Sequence, residues 1–105
     1  MKTNDVYTAY VAWANGGKRR PVLIRQINDD EVIVYKITTK YQNKSDDIRR
    51  HYYPIVDLDE AGLKRQSYID TLNLVGLPKS VQFRRIGQLS VNDMRNLAKF
   101  IDELD

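Results

Sequence analysis

The sequence has no cysteine and a single histidine among its 105 residues. Without cysteine, a disulfide framework and thiolate metal sites are excluded, and the composition suits a reducing cytoplasm. A lone histidine excludes a nuclease built on a histidine pair and a histidine-rich zinc centre. No apolar run approaches the roughly 20 residues of a membrane span, and the start of the chain lacks the apolar core of a signal peptide. We therefore expect a soluble, cytoplasmic protein.

The chain is short and moderately basic. One domain over residues 1–105 fits the length, because two domains would each be too small to close a stable core. The formal net charge is +3, and the excess of basic residues lies in the first half of the chain. Such an excess is compatible with a polyanionic partner without requiring one. The basic residues are grouped as Lys18, Arg19 and Arg20; Lys36, Lys40 and Lys44; Arg49 and Arg50; and Arg84 and Arg85.

The apolar pattern predicts strands along most of the chain. Residues 6–13 are rich in aromatic and β-branched side chains and end at a loop over residues 15–17. Pro21 opens a strand that reaches Ile27, and residues 31–39 follow at hairpin spacing. The nearly continuous apolar content of these two strands indicates burial on both faces. Further strands are predicted over residues 52–58, 67–75 and 81–86.

The charged stretch over residues 40–51 has no apolar period and is predicted to be an exposed loop. The last element is a helix that begins after Ser90. The Ser90 hydroxyl is expected to accept from the N–H of Asp93, whose carboxylate reaches back in an acidic variant of the capping box. Leu89 and Met94 occupy the positions of a hydrophobic staple. Apolar residues at helical spacing predict one buried stripe, formed by Val91, Met94, Leu97, Ala98, Ile101 and Leu104.

Together these patterns predict an α+β, mainly β fold. The strands form a small curled sheet, a partly open barrel, and the C-terminal helix closes one side of it. Burial of the helix stripe contributes on the order of 1.5–3 kcal/mol per large side chain. The helix is therefore expected to stabilise the fold and to carry no chemistry.

Candidate chemistry lies at residues 16–21 (GGKRRP) together with residues 38–40 (TTK). Two glycines let the backbone approach a ligand closely, and the cations after them can hold phosphate. If the two long strands pair as a hairpin, their outer ends meet, and Arg20 lies near Thr38. A guanidinium can bind a phosphate group with two N–H donors, and a hydroxyl can donate a further hydrogen bond to the same phosphate. Together these two side chains could form a phosphodiester site.

The same residues also have a structural interpretation. Three basic residues before a strand are usually a solvated loop, and Thr38 and Thr39 are β-formers that can simply fill a strand end. The Gly-Gly-Lys sequence is not a P-loop, because the G-x-x-x-x-G-K-[ST] spacing is absent and no helix follows. The pattern alone leaves both interpretations open.

Several distinctive blocks follow one another along the chain: DVY at residues 5–7, GGKRRPVLI at 16–24, KITT at 36–39, EAGL at 60–63, SYI at 67–69 and IGQLS at 86–90. In their order and gaps these blocks resemble the MazF/PemK toxins of bacterial type II toxin–antitoxin pairs. The resemblance covers nearly the whole chain. The R-P-V-L-I core alone would be a weak match, but the ordered set is fairly specific.

The resemblance implies an SH3-like barrel that dimerises and cleaves single-stranded RNA without a metal or other cofactor. Family members use an arginine in the R-P motif and a threonine or serine in the I-T/S motif, which correspond to Arg20 and Thr38. The implied reaction is attack by the ribose 2′-OH on the adjacent phosphate, which leaves a 2′,3′-cyclic phosphate and a 5′-OH. Arg20 would stabilise the developing negative charge, and Thr38 would align the attack.

The RNA-binding candidates beside this pair are Lys18, Arg19, Thr39, Lys40, Asn73 and Trp13. Trp13 has two interpretations, stacking on a base or packing in the core. Many family members carry a polar pair where this chain has Leu72 and Asn73. In the family this pair is Glu-Gln or similar. Asn73 can replace the amide of the glutamine, but Leu72 cannot replace the carboxylate of the glutamate. We therefore expect a changed base preference rather than a loss of catalysis.

The charged stretch after Thr39 also has two interpretations. The basic residues of this stretch either contact an RNA backbone or keep an exposed loop in solvent; they are Lys40, Lys44, Arg49 and Arg50. His51 lies at its end and could act as an acid or base, but the sequence offers it neither a second histidine nor a paired carboxylate.

Two functions of different classes follow from these observations. The first is a sequence-selective endoribonuclease toxin, a homodimer held inactive by a cognate antitoxin with an acidic, partly disordered segment. The second is a non-catalytic binding module that uses the same barrel to hold a protein or nucleic acid, as in toxins that trap DNA gyrase. Arg20 with Thr38 discriminates between them, because the nuclease needs this pair and the binding module does not.

Overall fold

The computed structural model describes residues 1–104 apart from the side chain of Trp13. Over this range the antiparallel strands follow the order β4-β5-β3-β2-β1-β7, with β6 also paired to β3. The predicted mainly β, partly open barrel with a C-terminal helix is confirmed, because the sheet does not close. In the described range no helix is long and apolar enough to span a membrane. The elements are β1 (Asp5–Trp13), β2 (Gly16–Ile27), β3 (Glu31–Thr38), α1 (Asp46–Arg49), β4 (Tyr52–Pro54), β5 (Tyr68–Asp70), β6 (Val75–Pro78), β7 (Arg84–Gln88) and α2 (Val91–Asp102).

Strand β2 is central to the sheet. It pairs with β1 from Leu23 outward to Gly16, and from Val22 inward it also pairs with β3. Val22 and Ile24 belong to one apolar cluster and Leu23 to the other, so this strand is buried on both faces as predicted. Pro21 lies one residue before the pairing with β3 begins, so its missing N–H removes nothing from that ladder.

The β1–β2 turn comes earlier than predicted. Residues 14–15 form the turn, and Gly16 and Gly17 already belong to β2, opposite Trp13 and Ala12. A Cβ atom on Gly17 would lie 2.8 Å from the ring of Tyr10. Gly17 therefore makes room for an aromatic side chain within the hairpin, and the predicted glycine loop at residues 15–17 is wrong.

The strands of the second half differ from the predictions. The single strand predicted over residues 67–75 is wrong, because β5 ends at Asp70 and β6 begins at Val75. Gly76 and Pro78 lie within β6, which in the described range pairs with β3 alone. Such an edge strand tolerates proline. The predicted ends of β4 and β7 are also displaced, to Pro54 and to Arg84–Gln88.

The charged stretch contains a helical turn that the pattern did not predict. Helix α1 covers Asp46–Arg49, and Ser45 caps it by accepting from the backbone N–H of Ile48 at 3.4 Å. Asp46 and Asp47 lie in its first turn, where the helix dipole favours negative charge. This helix was missed because it is too short to show an apolar period.

The N-terminus of α2 confirms half of the predicted capping box. The Ser90 hydroxyl accepts from the N–H of Asp93 at 3.0 Å. The Asp93 carboxylate reaches back to the Ser90 hydroxyl, which donates to its Oδ2 at 3.4 Å, and not to the Ser90 backbone N–H as in a capping box. It accepts from the phenol of Tyr53 at 2.5 Å and from the backbone N–H groups of Val56 and Asp57 at 3.1 and 2.9 Å. This carboxylate is fully buried, and its donors in β4 and in the chain just after it tie α2 to the sheet.

The buried stripe of α2 is rotated relative to the prediction. Leu97 is buried, and Met94 and Ile101 pack against the same cluster, whereas Val91 is 60% exposed. Phe100, which the predicted stripe omitted, packs edge-on to the ring of Tyr53 at 5.6 Å. The face of α2 that carries Asp93 and Leu97 is the one turned toward the sheet, and Ala98 is consequently exposed.

Candidate active site

The outer end of the β2–β3 hairpin brings Arg20 and Thr38 together. Val22 pairs with Lys36, so the residues two positions further out on each strand are neighbours on the same face. Arg20 and Thr38 both line a cleft of about 360 Å³, called cleft A, and a cleft of about 220 Å³, called cleft B. Cleft A is lined by Val11, Ala12, Arg20, Lys36, Ile37, Thr38, Lys40, Lys44, Tyr52 and Asp70. Cleft B is lined by Lys18, Arg19, Arg20, Pro21, Ile37, Thr38, Thr39, Lys40, Arg65 and Ser67.

The Thr38 hydroxyl is oriented by the chain that follows it. Its Oγ1 accepts from the backbone N–H of Lys40 at 3.1 Å. This bond occupies a lone pair of the oxygen and leaves the hydroxyl proton free to donate. Thr38 can therefore offer a hydrogen bond to an anion on the wall between clefts A and B.

The Arg20 side chain is half-buried on the same wall. In the described part of the chain, ion pairs join Arg49 to Asp46 and Arg85 to Asp5, and neither involves Arg20. A guanidinium offers five N–H donors in a planar fork that matches a phosphate group. The chemistry of Arg20 therefore suits an anionic ligand at the clefts.

Cleft A also contains a carboxylate that the sequence analysis missed. Asp70 is buried at the end of β5, and its Oδ1 accepts from the N–H of Leu72 at 2.9 Å. It reaches the cleft because β3 continues past the hairpin and pairs with β5, Thr38 opposite Tyr68. The sequence did contain a signal for Asp70, which is an acidic residue inside the strand-like run SYIDTLNLV. Carboxylates are seldom buried, so an acid within a strand suggests a functional role. Within residues 1–104, His, Asp and Glu side chains form no group of three or more suited to a metal ion.

The remaining lining residues are basic or hydroxyl-bearing, and among them Lys44 was one of the basic residues of the charged stretch predicted either to follow RNA or to lie in solvent. Lys36 and Lys44 contribute two ammonium groups to cleft A, and Arg65 and Ser67 line cleft B. Burial of Tyr52 raises the pKa of its phenol above the ordinary 10.0, and the negative charge of Asp70 raises the pKa further. The Tyr52 hydroxyl therefore remains protonated at neutral pH.

The structure places the predicted RNA-binding residues unevenly. Lys18, Thr39 and Lys40 line cleft B with Arg20 and Thr38. The Asn73 side chain is exposed between β5 and β6 and lines neither cleft in the described range. The side chain of Trp13 lies outside the described residues, so its two interpretations stay predictions.

Arg19 borders cleft B, but its guanidinium is held on the other face of β2. Its Nη1 donates to the carbonyl oxygen and hydroxyl of Thr8 at 3.3 and 3.2 Å and to the carbonyl oxygen of Gln82 at 3.1 Å. Neighbouring strand residues point to opposite faces, which separates Arg19 from Arg20. His51 is half-buried, and its carbonyl oxygen accepts from the hydroxyl of Thr71 at 2.6 Å.

The site is a basic cleft on an open β-barrel, with a guanidinium and an oriented hydroxyl, which are groups suited to a phosphate-bearing ligand. The family model of the PemK-like, MazF-like toxins of type II toxin–antitoxin systems matches residues 2–104. The chain belongs to this family, which confirms the resemblance found in its sequence and implies an antitoxin as partner. A comparison with curated proteins finds no match.

Proposed function

We propose that this toxin is an endoribonuclease that cleaves single-stranded RNA, mRNA included, at a phosphodiester held between Arg20 and Thr38. The observation that carries the proposal is the position of these two side chains on the wall shared by clefts A and B. The lysines around cleft A suit the polyanionic backbone of RNA. Membership of the PemK-like, MazF-like family supports the same activity.

The proposed reaction is a transesterification. The ribose 2′-oxygen forms a bond to the adjacent phosphorus, and the bond from that phosphorus to the 5′-oxygen of the next nucleotide breaks. The products are a 2′,3′-cyclic phosphate and a 5′-OH. The proton of the 2′-OH passes to a base, for which Asp70 is the carboxylate lining cleft A, and the leaving 5′-oxygen gains a proton from a lysine ammonium group or water.

Arg20 and Thr38 act on the phosphate oxygens. As the 2′-oxygen attacks, negative charge accumulates on the non-bridging oxygens, and the Arg20 fork meets two of them. The Thr38 hydroxyl donates its free proton to one of these oxygens while the Lys40 N–H fixes its direction. Loss of one such donor typically costs about 10²–10³ in rate.

The proposal includes the assembly in which this site works. The toxin is a homodimer in the cytoplasm, and the antitoxin inhibits it by laying an acidic segment across the basic clefts. The family supports this arrangement, and the lysines of cleft A complement an acidic peptide. Sedimentation showing a monomer at tens of micromolar would contradict the dimer.

The test uses a long single-stranded RNA, the purified chain and EDTA. We expect discrete fragments with 5′-OH ends from the wild type and at least about a hundredfold slower cutting from Arg20→Ala and Thr38→Val. Thr38→Ser retains the hydroxyl and is expected to retain most of the activity. Arg95→Ala, at an exposed position on α2, is the control and should cut like the wild type.

Cutting that survives both Arg20→Ala and Thr38→Val would place the reaction elsewhere. RNA that binds to the wild type but stays intact would favour the alternative, a non-catalytic binding module. Cutting that disappears only when EDTA is present would contradict the metal-free scheme. Circular dichroism of each variant shows whether the fold is retained.

A further inference from the structure

The ring of Tyr41 contacts two other side chains near the candidate active site. It stacks on the ring of Tyr68, with centroids 4.3 Å apart and planes 7° from parallel. The guanidinium carbon of Arg49 lies over the Tyr41 ring at 5.4 Å. The ring of Tyr52 is also near, with its centroid 6.4 Å from that of Tyr41. We name Tyr41, Arg49 and Tyr68 the tyrosine–arginine stack.

Hydrogen bonds fasten the neighbouring backbone to the same stack. Arg49 Nε donates to the carbonyl oxygen of Tyr41 at 3.2 Å, and Arg49 Nη2 donates to that of Gln42 at 2.5 Å. The N–H of Lys44 also donates to the carbonyl oxygen of Tyr41, at 3.1 Å. Residues 41–44 are therefore ordered by side chains and not only by the short helix α1.

The stack is anchored beside the candidate active site. Tyr68 lies on β5 directly opposite Thr38 in the β3–β5 ladder. Tyr41 immediately follows Lys40, whose N–H donates to Thr38 Oγ1 at 3.1 Å. Because residues 40 and 41 are consecutive, a shift of the Tyr41 backbone away from β5 would also displace the Lys40 amide that donates to Thr38.

We propose that the tyrosine–arginine stack is a positioning device for cleft A, an inference that rests on the proposed nuclease function. It holds residues 40–44 over the cleft, and it thereby directs the Thr38 hydroxyl and the ammonium groups of Lys40 and Lys44 toward the bound phosphodiester. The Tyr41 ring already stacks on Tyr68 and contacts the Arg49 guanidinium, so we assign it to positioning and not to stacking on an RNA base. The three stack residues position other groups and do not touch the reacting atoms.

The first test does not depend on activity. Hydrogen exchange followed by NMR reports the protection of the Lys40 amide in the wild type, Tyr41→Ala and Tyr41→Phe. We expect protection to fall at least about tenfold in Tyr41→Ala, because the amide loses its fixed place beside Thr38. Tyr41→Phe retains the stacked ring and should retain protection. Tyr10→Ala removes an exposed tyrosine on β1 and is the matched control.

The second test measures how RNA binding depends on salt. The probe is RNA with 2′-O-methyl riboses, which binds but cannot provide the attacking hydroxyl. Each cation in contact with a single strand contributes about 0.7 to the slope of log affinity against log salt concentration. With Lys40 and Lys44 no longer held, we expect the slope of Tyr41→Ala to fall by up to about 1.4 while Tyr41→Phe matches the wild type. With cleavable RNA, we expect kcat to fall in Tyr41→Ala.

The outcomes separate this inference from the proposed function. If the wild type does not cut RNA, the proposed function fails while the exchange experiment still tests the positioning of Lys40. If Tyr41→Ala folds and retains both the amide protection and the salt slope, the positioning role is overturned. If Tyr41→Ala does not fold, Arg49→Lys retains the charge but loses the planar fork, and it must show the same two changes for the inference to stand.

Discussion

The phenol of Tyr53 donates a 2.5 Å hydrogen bond to the carboxylate of Asp93, and both side chains are buried. Tyr53 belongs to β4 and Asp93 to the first turn of α2, so the bond joins the helix to the sheet. The N–H groups of Val56 and Asp57 and the hydroxyl of Ser90 also donate to this carboxylate. A buried charge of this kind stabilises the fold only while its donors remain in place.

Tyr53→Phe tests this contact directly. The change removes the phenol donor and leaves Asp93 with two backbone N–H donors and the Ser90 hydroxyl. We expect the free energy of unfolding to fall by about 1–3 kcal/mol, the usual range for a buried hydrogen bond to a charged group. Urea denaturation measures the loss, and Tyr10→Phe, on an exposed ring, should stay within about 0.5 kcal/mol of the wild type. A Tyr53→Phe protein as stable as the wild type would contradict the prediction.

The same tyrosine predicts alkaline sensitivity. Burial first, and then the hydrogen bond to Asp93, raises the pKa of Tyr53 above its ordinary 10.0. Above that pH the unfolded chain releases the phenol proton while the folded chain retains it, so stability falls as pH rises. Below it the contribution of Tyr53 is fully present. Denaturation between neutral pH and pH about 11 should show a smaller loss in Tyr53→Phe than in the wild type, and equal losses would argue against this origin.

Gly62→Ala is expected to destabilise the fold. Gly62 has φ +75°, and a Cβ atom there would overlap the carbonyl oxygen of Ile86 in the backbone of β7. Backbone cannot move aside cheaply, so we expect a loss of at least about 2 kcal/mol, measured by urea denaturation. Gly76→Ala is the matched control, because the Cβ there would meet only the flexible side chain of Glu31. A larger loss for Gly76→Ala than for Gly62→Ala would refute this explanation.

Asp70→Asn separates chemistry from structure in cleft A. The asparagine Oδ1 can still accept from the N–H of Leu72, so the turn after β5 should survive. The amide cannot take a proton from the 2′-OH, so we expect RNA cutting to slow by about 10²–10⁴-fold. Asp59→Asn, an exposed acid outside clefts A and B, should cut at the normal rate. Normal cutting by Asp70→Asn would limit Asp70 to ordering its turn.

The parts of this fold that follow local rules were predictable. Alternating and continuous apolar runs indicated β1, β2 and β3, because a strand presents its side chains to two faces. Ser90 marked the start of α2, since a hydroxyl that caps the first turn acts within three residues. The hairpin of β2 and β3 predicted that Arg20 lies near Thr38, and a register shift between Ile24 and Gln26 sets the final alignment, in which Val22 pairs with Lys36.

Tertiary structure decided what surrounds that pair. Asp70 and Tyr68 reach Thr38 only because β3 leaves β2 and pairs with β5, and no local pattern specifies a pairing across so many intervening residues. The buried position of the Asp93 carboxylate likewise depends on Tyr53, which is distant in the sequence. The sequence therefore predicted Ser90 as the capping residue but not the hydrogen bond from Tyr53 to Asp93. The amino-acid sequence alone thus determined the strands, the capped helix and the arginine–threonine pair, because short-range sterics and hydrogen bonds govern them. The positions of Asp70, of the cleft A lysines and of the tyrosine–arginine stack around that pair depend on long-range packing. This packing is defined only when the whole sheet has assembled.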